Sequence, residues 1–309
     1  MKVSVVICVY STDLYPDFCD AVRSVLGQSY PDIEVVAVID GNDKLCTRIR
    51  EKWGSHEDVI IHCNEQNRGL SASRNVGIKR ATGDIIAFLD DDAVADERWV
   101  EELVGTYKQE DVEAVGGKMT PIWPKTRPDF LPEEFFWLVG VTHRGFPDEG
   151  PVRNTFGSNI SFRSEVFEQI GGFNEELGRK GDKHVQGEET ELAERMRQEI
   201  DGTLYYNPNA EVGHKIFTYR TDPIWLLSRA FWQGYSKYAM SRILPQSEKK
   251  EVSFLADLLV RYLPDRVYQI LRSQDTTQIK QVGSLLLLTT AVGVGYVYAM
   301  IKYIYSDFR

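Results

Sequence analysis

Three consecutive aspartates, Asp90-Asp91-Asp92, follow directly on the apolar run Ile85-Ile86-Ala87-Phe88-Leu89. An uninterrupted apolar run of this length, preceded by Thr82-Gly83-Asp84, reads as a fully buried strand. Carboxylates at the carboxyl end of such a strand stand where open α/β sheets place their ligands. Like charges packed at one strand tip repel unless a cation neutralises them. Alternate residues of an extended chain share a direction, so Asp90 and Asp92 can meet one hard divalent cation. An acidic loop capping the next helix is the plainer alternative, and the surrounding elements decide between the two.

Those elements form a βα series. Val3 to Val9 is a near-continuous β-branched strand, followed by a helical stretch from about Leu14 to Leu26. A second strand runs from Ile33 to Ile39 and ends at Asp40-Gly41-Asn42-Asp43. A third apolar run, Val59 to Ile61, leads through Asn67-Arg68-Gly69 into a helix with Leu70, Ala72, Val76 and Ala81 on its apolar side. Strands alternating with helices predict a doubly wound, mostly parallel sheet whose loops gather at one edge. Asp13, Asp40, Asp43, Arg74 and the three aspartates then share that edge.

The chain resembles the inverting family 2 glycosyltransferases of GT-A fold. The resemblance is carried by Val5-Val6-Ile7-Cys8-Val9-Tyr10, Asp40-Gly41-Asn42-Asp43 and Asn67-Arg68-Gly69-Leu70-Ser71-Ala72-Ser73-Arg74-Asn75-Val76-Gly77. It continues through Asp90-Asp91-Asp92, Gly171-Gly172-Phe173-Asn174-Glu175 and Gly187-Glu188-Glu189-Thr190-Glu191-Leu192, and covers roughly residues 1–240. Two positions depart from the family pattern. Ile39 stands where an extra acidic residue usually contacts uracil, and the usual Glu-Asp pair is Glu188-Glu189.

The resemblance implies a nucleotide-sugar donor, an Mg²⁺ or Mn²⁺ cofactor and a polyprenyl- or dolichyl-phosphate-linked acceptor. Glu189 is then the base that takes the acceptor proton, and Glu188 its support. Both open a helix running to about Ile200, at its positive end. Helix capping alone would account for one or two of these acids. Donor contacts are expected from Val9, Tyr10, Asp40, Arg68, Arg74, Asp90 and Asp91, with Asp40 accepting from a base N–H or serving as a turn residue beside Gly41. Arg74 either holds the nucleotide or pins Asp90. Asp92 is the expected metal ligand, with Asp90 on ribose or metal-bound water and His214 completing the cation shell. Arg229 and Lys237, on a helical stretch from Trp225 to Arg242, resemble a segment that closes over the donor diphosphate; packing of Phe231, Tyr235 and Tyr238 is the rival reading.

Length and composition agree with this frame. The 309 residues are 42% hydrophobic, enough for one large core with an appendage. A formal net charge of -10 argues against nucleic acid as partner, because phosphate binding needs a basic face. Cys8, Cys19, Cys46 and Cys63 form no Cys-x-x-Cys pair and are expected to be reduced thiols. Strand one begins at residue 3, so no signal peptide is expected, and the Asn159-Ile160-Ser161 glycosylation triplet reads as chance.

The C-terminus differs in kind. Val282 to Ile301 is a 20-residue stretch without a charged side chain, long enough as a helix to cross about 30 Å of bilayer core. Arg261, Arg266, Arg272 and Lys280 precede it, against Lys302 and Arg309 after it; this bias places the preceding domain in the cytoplasm. The expected organisation is a GT-A catalytic domain over 1–240, an amphipathic juxtamembrane segment over 241–281 and a single transmembrane helix over 282–304. The juxtamembrane segment, interrupted by Pro264, either lies on the membrane or packs on protein. Phe135-Phe136-Trp137-Leu138-Val139 is an apolar patch for lipid contact, acceptor cover or core. The sequence thus predicts a membrane-anchored enzyme transferring hexose or hexuronic acid from a UDP-sugar. A polyprenyl-phosphate monosaccharide synthase is the first alternative, and a non-catalytic nucleotide-sugar-binding membrane protein the second.

Overall fold

The computed structural model describes residues 1–177, 187–243, 256–273 and 276–307. Two compact units divide the described chain: 1–122, 146–177 and 187–215 form the first, and 123–145 with the residues after 215 the second.

The first unit is built on a nine-stranded mixed sheet. Its strands are β1 (Val3–Val9), β2 (Ile33–Asp40), β3 (Val59–Asn64), β4 (Ile85–Asp90), β5 (Ala93–Ala95), β6 (Ala114–Ile122), β7 (Gly150–Pro151), β8 (Ile160–Arg163) and β9 (Leu204–Lys215). The order is β3-β2-β1-β4-β8-β6-β9-β5, with β7 paired to β9. The half made of β1 to β4 is parallel, as the alternating pattern predicts. In the other half β8 runs antiparallel to both β4 and β6, and β5 antiparallel to β9. Helices α1 (Tyr15–Leu26), α2 (Asp43–Trp53), α3 (Leu70–Arg80), α4 (Trp99–Gln109), α5 (Ser164–Ile170) and α6 (Glu188–Ile200) complete the unit.

Strands β1, β2 and β4 are buried almost throughout, which is why their β-branched runs do not alternate. One core joins Val6, Val36, Ile86 and Phe88 of these strands to Phe162, Phe167, Phe173, Leu192 and Met196. Phe88 meets Phe162, Phe167 and Phe173 edge to face, with centroids 5.1 to 6.3 Å apart.

The expectation of four reduced thiols fails. Cys46 of α2 and Cys63 of β3 form a disulfide with their Cα atoms 6.1 Å apart, within the reach such a bond needs. The helix and the strand are consecutive and pack together, so sulfurs 17 positions apart meet without any local motif. Cys8 and Cys19 are free. Asn159 is fully buried, its amide donating to the Lys118 and Ala210 carbonyls and accepting from the Trp99 indole; its triplet marks no surface site.

The second unit contains a short 3-10 helix (Glu133–Val139), α7 (Pro223–Ile243), a π-helical turn (Leu258–Tyr262), α8 (Leu263–Ser273) and α9 (Thr276–Asp307). Phe135, Phe136, Leu138 and Val139 are buried, so this patch is core and offers no lipid contact. The π turn ends just before Pro264, where the missing N–H and the ring bulk disfavour a regular α-helical turn. Phe254 and Leu255 of the expected amphipathic stretch, and Arg309, lie outside the described residues.

Helix α9 is apolar and long enough to cross a membrane, with only 22% of its most apolar window buried, unlike the core helix of a soluble protein. Its covered side packs on α7 through two glycines. A Cβ at Gly234 would strike the Val292 carbonyl, and one at Gly295 the Phe231 carbonyl. Tyr235 and Tyr238 flank this crossing and lie against Tyr296, Tyr298 and Tyr303. The opposite side exposes Leu286, Leu287, Val294, Val297 and Ile301.

Glycine inside a helix normally costs about 1 kcal/mol relative to alanine. At Gly283 and Gly293, where an added Cβ meets nothing, substitution by alanine should therefore stabilise by roughly 0.5–1 kcal/mol. At Gly234 and Gly295 the sign should reverse, to a loss of about 1–3 kcal/mol from overpacking. Thermal unfolding of the four variants in detergent distinguishes the two pairs.

Candidate active site

The loop ends of β1, β2 and β4 carry most of the expected residues. Val9 closes β1 and is buried, so only its backbone faces the rim, whereas Tyr10 is 59% exposed. The Tyr10 carbonyl accepts from the Asn42 amide, which also caps α2. Asp40 closes β2. Its carboxylate accepts the Asn64 amide at 2.9 Å, the Arg68 N–H at 2.9 and 3.1 Å and the Gly69 N–H at 2.9 Å. A carboxylate at a helix N-terminus collects such orphan donors, and here it fixes the turn that opens α3. Gly41 (φ 65°) allows that turn to approach, since a Cβ there would strike the Asn67 nitrogen. Arg68 is half exposed, with its guanidinium 3.5 Å from Glu175.

Helix α3 then presents three polar residues to the interior. The Ser71 hydroxyl donates to the Leu177 carbonyl at 2.7 Å. Asn75 exchanges hydrogen bonds with the backbone of Phe173, at 2.7 and 2.9 Å. Arg74, 3% exposed, donates to Asp90 Oδ1 at 3.0 Å, to Glu188 Oε1 at 3.2 Å and to the Gly157 carbonyl at 2.9 Å. One guanidinium thus joins the end of β4 to the start of α6. Of its two expected uses, the structure shows the pinning of Asp90. Asp90 is also held by its own N–H, which donates to Ser158 Oγ.

Asp92 lies at the opposite side of the triplet. Pairing of β5 with β9 sets Ala93 opposite His214, and His214 Nε2 lies 3.2 Å from Asp92 Oδ1. Of the three residues expected around one cation, Asp92 and His214 are thus brought together, while Asp90 turns to Arg74. Asp91 is half-buried, and its Oδ2 is shielded from solvent with no hydrogen-bond partner. Burial first, then the charges of Asp92 and Asp90, push its carboxyl well above the usual range. Among the described residues no three His, Cys, Asp or Glu side chains close a metal shell. A buried carboxylate oxygen lacking a donor, beside a carboxylate and an imidazole, nonetheless fits the open set from which Mg²⁺ or Mn²⁺ is held together with substrate phosphates.

Glu188 and Glu189 open α6 after Gly187. Glu188 takes the Arg74 contact and accepts from the Gly187 N–H. Glu189 is left with the unfavourable share of the site. Burial first, and the adjacent Glu188 charge second, raise its pKa to about 8. Arg229 and Lys237 belong to the second unit, on α7, where Lys237 lies 5.7 Å from the Trp137 ring centre. Gly234 and Tyr235 of the same segment face α9, which supports packing as their task.

Sequence reasoning passed over Gly157, Ser158, Asn75 and Ser71. The first two sit in a loop whose partners are 68 and 83 residues away, and only Phe156-Gly157-Ser158-Asn159, a small polar run ahead of a strand, marked it.

The family model of glycosyl transferase family 2 matches residues 4–171. The chain belongs to this family. It is similar to a glucosyl-dolichyl phosphate glucuronosyltransferase of Haloferax volcanii, 45% identical over 303 residues that make up 97% of each chain. Among solved structures it resembles the mannosyltransferase PcManGT from Pyrobaculum calidifontis in complex with GDP-Man and Mn²⁺, at a TM-score of 0.61 and 16% identity over 99% of this chain and 87% of that one. S. aureus TarS 1-349 is a second neighbour, with a TM-score of 0.53 and 18% identity over 94% and 81%. These two likenesses establish the GT-A fold. The protein is accordingly a family 2 glycosyltransferase with a mixed α/β catalytic fold and C-terminal helices.

The hydrogen bonds of Asp40 predict how it acts. Asp40→Ala takes an acceptor from two buried donors, the Asn64 amide and the Gly69 N–H, and from the partly buried Arg68 N–H; each loss at a buried donor costs about 1–3 kcal/mol. The variant should unfold at lower temperature even without nucleotide and should bind every nucleotide more weakly, whatever the base. Unchanged stability with loss confined to one nucleobase would mean that Asp40 reads the base directly.

Proposed function

We propose that this enzyme transfers a glucuronosyl residue from UDP-glucuronic acid to glucosyl-dolichyl phosphate, or to a closely similar polyprenyl-phosphate glycoside. The observation that carries this reading is the 45% identity, over 97% of both chains, to the Haloferax volcanii enzyme of that description. The assembled constellation of Asp90, Asp91, Asp92, His214, Arg74, Glu188 and Glu189 supports it.

Mg²⁺ or Mn²⁺, held by Asp92 and His214 with Asp91 beside them, would neutralise the departing diphosphate. Tyr10, exposed at the rim, offers a face for the nucleobase, and the turn held by Asp40 shapes the ribose side. Glu189 takes the acceptor hydroxyl proton while the acceptor oxygen bonds to the anomeric carbon. The bond from that carbon to the diphosphate breaks on the opposite side, so configuration inverts. Glu188, fixed by Arg74, keeps α6 and its base in place.

Incubation with UDP-glucuronic acid, Mn²⁺ and glucosyl-dolichyl phosphate should give a lipid heavier by one hexuronic acid, read by mass spectrometry. Glu189→Gln should retain donor affinity and lose turnover, since an amide keeps the shape but takes no proton. Because the base works only when ionised and its pKa lies near 8, kcat/KM should rise about tenfold per pH unit below that value and level off above it. A pH-independent rate, or an active Glu189→Gln variant, would contradict the assignment.

Membrane attachment is assigned to α9, with the catalytic unit on the side of Arg261, Arg266, Arg272 and Lys280, the cytoplasmic side by charge bias. A second reading of the anchor rests on α7. This helix follows α9 through the glycine crossing and carries Arg229, Lys237 and Arg242, three charges that hydrocarbon disfavours by about 2.5–3.5 kcal/mol each. An α9 that crosses the bilayer should stay in the pellet after carbonate washing. Release into the supernatant would show that the α7–α9 pair lies along the surface.

A further inference from the structure

A cavity of about 290 Å³ lies within the second unit, lined by Arg127, Glu133, Arg144, Arg266 and glutamines that include Gln278 and Gln281. Its floor is an ionic network. Glu134, with no exposed surface, takes Arg266 through both carboxylate oxygens and Arg144 through one. Arg266 also donates to Gln278 and Gln281 in the first turns of α9. The network therefore fixes the guanidiniums at the root of the apolar helix, one residue before its uncharged stretch begins at Val282.

The charge balance favours an anion. Three guanidiniums meet one carboxylate in the lining, and adding Glu134 beneath them still leaves an excess of one positive charge. Asp265, half exposed, reaches Arg144 Nη2; such a contact is weak in water and yields to a stronger anion. Arg127 gives one Nη to Glu133 and the other to the Leu131 carbonyl, while its Nε is shielded from solvent and has no hydrogen-bond partner. Convergent arginines are the side chains that best match phosphate oxygens. Beside the cavity, α8 exposes Val267 and Leu271 one helical turn apart, an apolar edge suited to an acyl or isoprenyl chain.

We propose that this cavity binds the phosphate group of a lipid ester, that of the polyprenyl-phosphate-linked acceptor. The proposal rests on the acceptor class given above. Arg127 and Arg144 contact the phosphate, and Arg266 positions Gln278 and Gln281 around it. The site would hold the acceptor by its charged link, the phosphate between the isoprenoid and the sugar.

The test uses the full chain and flotation with phosphatidylcholine vesicles containing a polyprenyl-phosphate glucoside, the phosphodiester named above. Parallel arms contain phosphatidylglycerol at equal charge, or inorganic phosphate as competitor. Preference for the polyprenyl-phosphate glucoside is expected, with affinity falling at least about tenfold in Arg127→Gln/Arg144→Gln. If Arg144→Gln unsettles Glu134, Arg127→Gln alone serves, because it has no contact with Glu134. Glu133→Gln is the decisive companion: removing the one lining carboxylate should tighten binding, whereas a merely structural ion pair predicts no gain. Equal binding to phosphatidylglycerol, full competition by inorganic phosphate, or no change in the variants would each overturn the proposal. Nucleotide-donor binding is measured alongside; its absence in the unaltered protein would defeat the proposed transferase reading and leave the lipid result to stand by itself.

Discussion

A single buried guanidinium sets the terms for the catalytic unit. Taking Arg74 out of water costs several kcal/mol unless its donors find acceptors and its charge finds partners. The fold answers with Asp90 from a strand, Glu188 from a helix and the Gly157 carbonyl from a loop, and seats the group against the Phe88 and Phe173 rings, 5.7 and 5.4 Å from their centres. Burial alone would lower its pKa, but the two carboxylates outweigh that and hold it charged. The arrangement spends that cation's hydrogen bonds on Asp90 and Glu188, so at Glu189 burial and the Glu188 charge prevail and raise the pKa to about 8. The acids at the end of β4 and at the start of α6 are thereby tied to one group.

Local pattern accounts for the parts of this site that the chain writes consecutively. Strands β1 to β4 are legible because each is a continuous apolar run between turn residues, and α6 because its acids and apolar positions repeat at helical spacing. The aspartate triplet was legible from the apolar run it ends, whereas the acid pair stood out through the family resemblance. Strands β5, β7 and β8 were not, being two to four residues long and dependent on partners far away in sequence. The disulfide was missed because the pairing of α2 with β3 decides it. Asp40 was half legible: its place at the rim followed from β2, but its use as a cap for the 67–69 turn depends on a backbone approach that only Gly41 permits. The Phe135–Val139 patch stayed open between core and contact surface, since apolar character alone does not separate the two.

The second unit shows a different logic. Two glycines let α7 and α9 approach to backbone contact, and an aromatic ladder lines the seam. The far side of α9 stays apolar and bare, while its root is fastened by arginines around a buried glutamate. An enzyme whose acceptor carries a long isoprenoid gains from such a unit, because confining both reactants to one plane raises their effective concentration.

A double-mutant cycle on turnover, pairing Arg74→Lys with Glu188→Gln, tests the central claim that Arg74 holds the acid pair to the triplet. Lysine keeps the charge but cannot bridge Asp90, Glu188 and Gly157 together. The account predicts strong coupling, of about 1–3 kcal/mol, with the double variant little slower than Arg74→Lys alone. Strictly additive losses would mean that the two residues act independently and that Arg74 serves only the local structure of α3.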